Sequence, residues 1–181
     1  MIGEWTRAET RGRELSRNYG LLIKDNAQVN AIQPVTLITE VTWEKSSDGN
    51  VPMGALRCGR DRDGGPIYLG RAYHAGDLLP AKVVPNKGCA YVCWNCSEHV
   101  KLQYEVLCHG NLAWEIASNG SVPISAIKVG STETGECLYA ARVEHDGIMT
   151  PGKVHPSHGV CYIPYNGAEL SFKNYEVLVS K

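Results

Sequence analysis

The chain has 181 residues, 43% of them hydrophobic and 20% charged, with a formal net charge of -1. That length suits one sizeable core or two small ones, and the composition is that of an ordinary globular protein. The near-zero charge gives no electrostatic reason to expect nucleic acid or an anionic membrane as partner, and no apolar run is long enough to span a bilayer.

From the start, "MIGEWTRAETRGRELSRNYG" lacks the apolar stretch of a signal-peptide core. The expectation is a cytoplasmic protein, reaching the outside, if it does, by a route that needs no signal. Part of this segment, "EWTRAETRGRELSRNYG", has the composition of a short polar helix, although Gly12 weakens it. Further on, "VTLITEVTW" from Val35 to Trp43 alternates apolar with polar residues and predicts a strand feeding the first of two repeats.

Those repeats organise everything that follows. Sliding the sequence by 71 residues aligns Trp43–Leu107 with Trp114–Leu178 without a gap, and 25 of the 65 positions are identical. Trp43 meets Trp114, "VP" at Val51 meets "VP" at Val122, and "YEVL" at Tyr104 meets "YEVL" at Tyr175. The predicted organisation is an N-terminal extension over 1–42, one repeat over 43–110 and a second over 111–181. Two copies at this period do not make a solenoid. Each copy is a series of short, tyrosine-bearing segments such as "GGPIYLGRAYH", "CAYVCW" and "VCYIPY", broken by Gly, Pro, Asn and Asp every 8 to 12 residues. That pattern predicts all-β structure. The expected fold is two tandem homologous β-rich repeats packed as one pseudo-two-fold, β-sandwich-like body.

The two copies also test one another. A residue kept in both serves the shared fold or a shared site; a residue in one copy only is dispensable for the fold. "CWNCSEH" puts a CxxC at Cys93 and Cys96, with Cys89, His99, Cys108 and His109 nearby, a loosely zinc-like set. The second copy replaces Cys89, Cys93, Cys96 and His99 by Val160, Pro164, Gly167 and Leu170. Buried or adventitious free thiols are therefore the favoured reading, with no metal and no cofactor. "HPSHG" offers Ser157 between His155 and His158, but the first copy has Asn86 and Lys87 opposite Ser157 and His158, and no nucleophile elbow, phosphate loop or HExxH motif is present. No enzyme is expected.

Retained in both copies are Arg71 and Arg142, His74 and His145, Lys82 and Lys153, and Glu98 and Glu169. Each lysine follows two residues after a proline, which stiffens its approach and makes it a directed donor; an exposed lysine beside a strand is the plain alternative. Arg71 and Glu98 read as a structural ion pair common to both copies.

The stretches "GRAYH", "LLPAKV", "PGKVHPSHGVCYIPY" and the "YEVL" close resemble the tandem DM-nine repeat family of invertebrate proteins, over roughly residues 43 to 181. The resemblance implies two β-rich repeats, commonly in a homodimer, forming a non-enzymatic lectin that binds mannose without calcium and acts as a pattern receptor in innate immunity. It implies mannose-rich glycans, microbial surface polysaccharide among them, as partners, with no membrane insertion. On this resemblance the sugar contacts fall on Asp61, in "RDRDGG", and Lys82, in "LPAKV". Such a pair suits a hexose, since a carboxylate accepts from vicinal hydroxyls while an ammonium donates to them. Turn capping is the alternative role of Asp61, and Asp63, just before Gly64, has the better claim to it. In the second copy Lys153 remains, but Thr132 stands opposite Asp61, leaving Glu133 or Glu136 as the substitutes within reach. The other reading is a protein-interaction or stress-response scaffold with a degenerate sugar site.

Overall fold

The computed structural model describes residues 40–181. The polar helix expected near the N-terminus, and the part of the Val35–Trp43 strand before Glu40, lie outside the described residues.

The first repeat supplies β1 (Thr42–Ser47), β2 (Arg57–Arg60), β3 (Pro66–His74), β4 (Asp77–Val84), β5 (Cys89–Trp94), β6 (Ser97–Lys101) and β7 (Gln103–Cys108). The second supplies β8 (Leu112–Ser118), β9 (Lys128–Ser131), β10 (Cys137–His145), β11 (Ile148–His155), β12 (Val160–Tyr165), β13 (Ala168–Phe172) and β14 (Asn174–Ser180). Every strand of one repeat thus reappears 71 residues later, as does the single 3-10 turn, at Pro85–Lys87 and Pro156–His158. Each such turn opens on proline, whose fixed φ favours that geometry, and closes on a left-handed glycine, Gly88 or Gly159.

The hairpins follow from their turn residues. His74 pairs with Asp77 around Ala75–Gly76, and Trp94 pairs with Ser97 around Asn95–Cys96, all four turn residues having positive φ. Two left-handed residues in succession make the primed turn whose twist matches that of the flanking strands. In the second repeat the same turns are Asp146–Gly147 and Asn166–Gly167, the standard chemistry for this geometry.

All fourteen strands belong to one sheet: twelve run in the order β1-β7-β3-β4-β5-β6-β13-β12-β11-β10-β14-β8, while β2 pairs with β3 and β9 with β10 and β4. The repeats meet where β6 pairs with β13 through Ser97 and Ala168. They meet again where β9 reaches back to β4, pairing Ser131 with Leu78, so the sheet curls into a barrel-like body. Glycine permits that second approach. A Cβ on Gly130 would lie 2.0 Å from the Leu78 carbonyl oxygen, and one on the equivalent Gly59 would lie 2.1 Å from that of Met149. The crossing is reciprocal, β9 onto β4 and β2 onto β11.

Alternating side chains fill the interior. Leu79, Val83, Val92 and Val106 pack inside the first repeat, and Val154, Ile163 and Val177 inside the second. A further cluster mixes the two: Cys58, Leu69 and Leu107 against Val129, Ala140 and Leu178. Each fully buried aliphatic side chain contributes about 1.5–3 kcal/mol of transfer free energy. Since part of that apolar surface is shared, neither repeat buries its core alone.

One sequence expectation is corrected here. Arg71 pairs not with Glu98 but with Glu105, Nε to Oε2 at 2.6 Å, and its guanidinium lies 4.1 Å from the centre of the Trp43 ring. Arg142 repeats this with Glu176 and Trp114. The arginine on β3 faces its sheet neighbour β7, where Arg71 stands directly opposite Glu105.

Candidate functional site

A cleft of ≈ 220 Å³ opens between the repeats, and both Asp61 and Lys82 line it. Lys82 is not the exposed lysine that its sequence allowed: it lies on β4 at 8% exposure. Its Nζ donates to Glu98 Oε1 at 2.9 Å and to the Pro164 carbonyl, in the other repeat, at 2.8 Å. Glu98 Oε2 in turn accepts the Gly167 N–H, again across the repeat boundary, at 2.8 Å. This pair is buried, with both Glu98 oxygens and two of the three Lys82 donors hydrogen-bonded, which makes a buried ion pair tolerable. An ammonium carries three donors, so Lys82 retains one for a ligand.

Asp61 sits in the β2–β3 turn. Its N–H donates to the Gly65 carbonyl at 2.8 Å and its Oδ1 accepts the Arg62 N–H at 2.9 Å, while Asp63 caps the same turn by accepting the Gly65 N–H. Asp61 Oδ2 is buried and has one partner, the Lys87 ammonium, at 2.8 Å; the contact is an ion pair without hydrogen-bond alignment. Partial burial opposes ionisation of Asp61, but Lys87 and the Arg62 N–H outweigh it and hold its carboxyl below the usual carboxylate range. Asp61 is therefore an ionised acceptor with a lone pair to offer.

Around these two charges stand Tyr91 on β5 and, from the second repeat, Ile148, Tyr165 and the Asn166–Gly167 turn. Lys82 Nζ lies 4.9 Å from the centre of the Tyr91 ring. At the rim Arg62 crosses to the second repeat, its Nη2 donating to the Tyr165 hydroxyl at 2.7 Å and lying 3.4 Å from Asp146 Oδ2. Sequence reasoning missed Lys87, Arg62 and the whole contribution of the second repeat. Retention of Tyr91 as Tyr162 and of Asn95 as Asn166 was the available signal.

The pseudo-equivalent place in the second repeat keeps the frame and the backbone of the loop but not its side chains. Lys153 Nζ donates to the Cys93 carbonyl at 2.7 Å and lies 2.9 Å from Glu169 Oε1, and Glu169 Oε2 accepts the Cys96 N–H at 2.8 Å. Thr132 Oγ1, opposite Asp61, is engaged locally by Thr134 and the Glu136 N–H. Neither glutamate substitutes for Asp61. Glu136 gives its carboxylate to the Ser157 N–H and hydroxyl and to His155, and the Glu133 side chain lies against Gly76. His158 takes the place of Lys87 and stacks on His155 with ring centres 3.6 Å apart.

The remaining candidates are placed as follows. The Glu136 carboxylate stands between Ser157 and His155, so the imidazole is not hydrogen-bonded to the hydroxyl as an activating base would be. His74 packs on Trp94 and His99, and His145 on Tyr165 and Phe172, so both retained histidines support the end of the neighbouring hairpin. All seven cysteines are free; Cys93 is buried in β5 whereas Cys96 is exposed in the turn after it. Among the described residues no group of three or more His, Cys, Asp or Glu side chains converges as a metal site would require.

Comparison with known proteins agrees with this architecture. Natterin-4 of Thalassophryne nattereri is 29% identical over 135 residues, covering 72% of this chain and 32% of that protein. Natterin-3 of the same species is 24% identical over 179 residues, covering 96% of this chain and 46% of that protein. The chain thus spans less than half the length of either relative. Among solved structures, the nematode sperm cell motility protein MFP2B shares the fold, with a TM-score of 0.60 at 15% identity over 84% of this chain and 50% of that one. The family model of the DM9 repeat matches residues 23–76 and 61–172, more than half of the sequence, and the chain belongs to the DM9 repeat family.

Proposed function

We propose that this chain is a carbohydrate-binding protein, lectin-like in mode, whose inter-repeat cleft takes a hexose of the mannose type without a metal ion or chemical turnover. The observation that carries this reading is that an ionised acceptor with spare capacity, Asp61, and a directed donor with an unused N–H, Lys82, line one cleft walled by Tyr91 and Tyr165. A pyranose presents hydroxyls to such charged groups and its C–H face to aromatic rings, the usual division of labour in a small-molecule site. Membership of the DM9 family supports the reading, and with it a role in recognising mannose-bearing microbial surfaces in immunity. A single hexose is held weakly, so a homodimer presenting several clefts would supply avidity.

A second reading, an interaction scaffold, is favoured by one observation. Lys82 and Glu98 hold the two repeats together, which accounts for their recurrence as Lys153 and Glu169 without any ligand. Calorimetric titration with mannose, galactose and mannan, with and without chelator, separates the two. The lectin reading expects saturable, chelator-resistant binding that Asp61→Asn weakens at least tenfold while leaving the melting temperature in place. Absence of heat with all three sugars favours the scaffold.

A further inference from the structure

The polar groups of the cleft are unequally engaged. A guanidinium brings five donors and an ammonium three, whereas an ionised carboxylate only accepts. Arg62 uses Nη2 on Tyr165 and Asp146, and its Nε and Nη1 have no partner among the described residues. Lys87 is paired with Asp61, and Lys82 keeps one N–H. The acceptors have less to spare, although Asp61 keeps a lone pair. Both oxygens of Glu98 are occupied, and those of Asp61 face the Arg62 N–H and Lys87. Three cations therefore line the cleft against two carboxylates, with donors left over.

A neutral hexose matches this imperfectly, because each hydroxyl that accepts also brings a proton needing an acceptor. An oxyanion brings acceptors alone. We propose that, given the hexose reading above, the preferred ligand is a hexose bearing an anionic substituent: phosphate, sulfate or carboxylate. Asp61 and Lys82 engage the ring hydroxyls, and Arg62 and Lys87 engage the anion. The second repeat provides the contrast, since Glu133 and His158 occupy the positions of Arg62 and Lys87. Asp146 is the opposing charge, and Arg62 stands mostly in solvent, so the preference is moderate and screened by salt.

The test is calorimetric titration of the full chain with mannose, mannose 6-phosphate and inorganic phosphate, at low and at high ionic strength. The sugar phosphate should bind about tenfold tighter than mannose at low salt, and high salt should shrink that ratio. Arg62→Gln should bring the two sugars within about twofold of each other, and Asp146→Asn should widen the gap; matching melting curves would show both variants folded. Equal affinities in the wild type, or a preference that survives Arg62→Gln, would overturn the proposal. So would inorganic phosphate binding as tightly as the sugar phosphate, which marks a plain anion site. Mannose binding with no preference refutes this inference alone; failure of both sugars refutes the hexose reading with it.

Discussion

Replacing Lys153 by methionine isolates what the cross-repeat ion pairs contribute. Lys153 and Glu169 have side chains only 6% and 9% exposed. Their outer contacts, the Cys93 carbonyl and the Cys96 N–H, belong to the other repeat. Methionine keeps the bulk and removes the charge, so Glu169 is left buried without a cation and the Cys93 carbonyl without its donor. Removing one partner of a buried pair costs about 3–5 kcal/mol, against a typical domain stability of about 5–15 kcal/mol. For a domain of this size the thermal midpoint should fall by on the order of 10 °C. In urea, followed by tryptophan fluorescence, the midpoint should drop with an unchanged slope, as expected if stability alone is affected. The double variant Lys153→Met/Glu169→Leu carries no uncompensated charge. It should be less destabilised than the two single changes added together, by about 1–3 kcal/mol. A loss below about 1 kcal/mol in the single variant, or strict additivity in the double, would refute the assignment of this pair as the tie between the repeats.

Other consequences are as readily checked. Lys87 and the Arg62 N–H outweigh partial burial and hold the Asp61 carboxyl below its ordinary value of 3.8, so mannose affinity should stay level as pH falls from neutrality and decline only below 3.8; a decline beginning higher, read by titration calorimetry, would remove Asp61 from the site. Burial pushes the Cys58 thiol up to about 12 and raises those of Cys93 and Cys161, whereas Cys96 is exposed. A thiol-reactive dye should therefore show a fast native-state phase that disappears in Cys96→Ser, with these three buried thiols reacting only after unfolding. Gly130→Ala places a methyl 2.0 Å from the Leu78 carbonyl oxygen and should cost about 1–3 kcal/mol in urea unfolding, as should Gly59→Ala against Met149.

The all-β character and the strands β3, β5 and β7, with their copies β10, β12 and β14, were legible because hydrophobic alternation and turn chemistry are local properties, and because the second copy supports the first. The offset that aligns "GRAYH" with "ARVEH" places β3 and β10 at their ends, His74 and His145. Partnership was not legible. Arg71 had three retained glutamates to choose from, Glu44, Glu98 and Glu105, and strand adjacency, settled only when β7 docks on β3, assigns it Glu105 and leaves Glu98 to Lys82. Likewise Asp61 and Lys82 are first-repeat residues, but Tyr165, Ile148 and the Asn166–Gly167 turn enter the same cleft through packing between repeats. An internal alignment says which residues are equivalent; it does not say which ones meet. The loss of a carboxylate opposite Asp61 was visible at Thr132, while the capture of Glu136 by the Pro156–His158 turn required the folded geometry.

The reciprocity of the contacts across the repeats bears on how such a chain arose. Lys82 reaches the Pro164 carbonyl as Lys153 reaches that of Cys93, and Gly59 faces Met149 as Gly130 faces Leu78. This is the pattern of an isologous two-fold interface, in which each subunit offers the same patch to the other. An ancestral single repeat would have completed its core only as a dimer of identical chains, with two identical clefts. Joining two copies in one gene turns that association into an intramolecular event at high effective concentration. It also releases the clefts from identity. One can then keep Asp61 while the other drifts to Thr132, a divergence closed to a symmetric ancestor, in which every substitution appears twice.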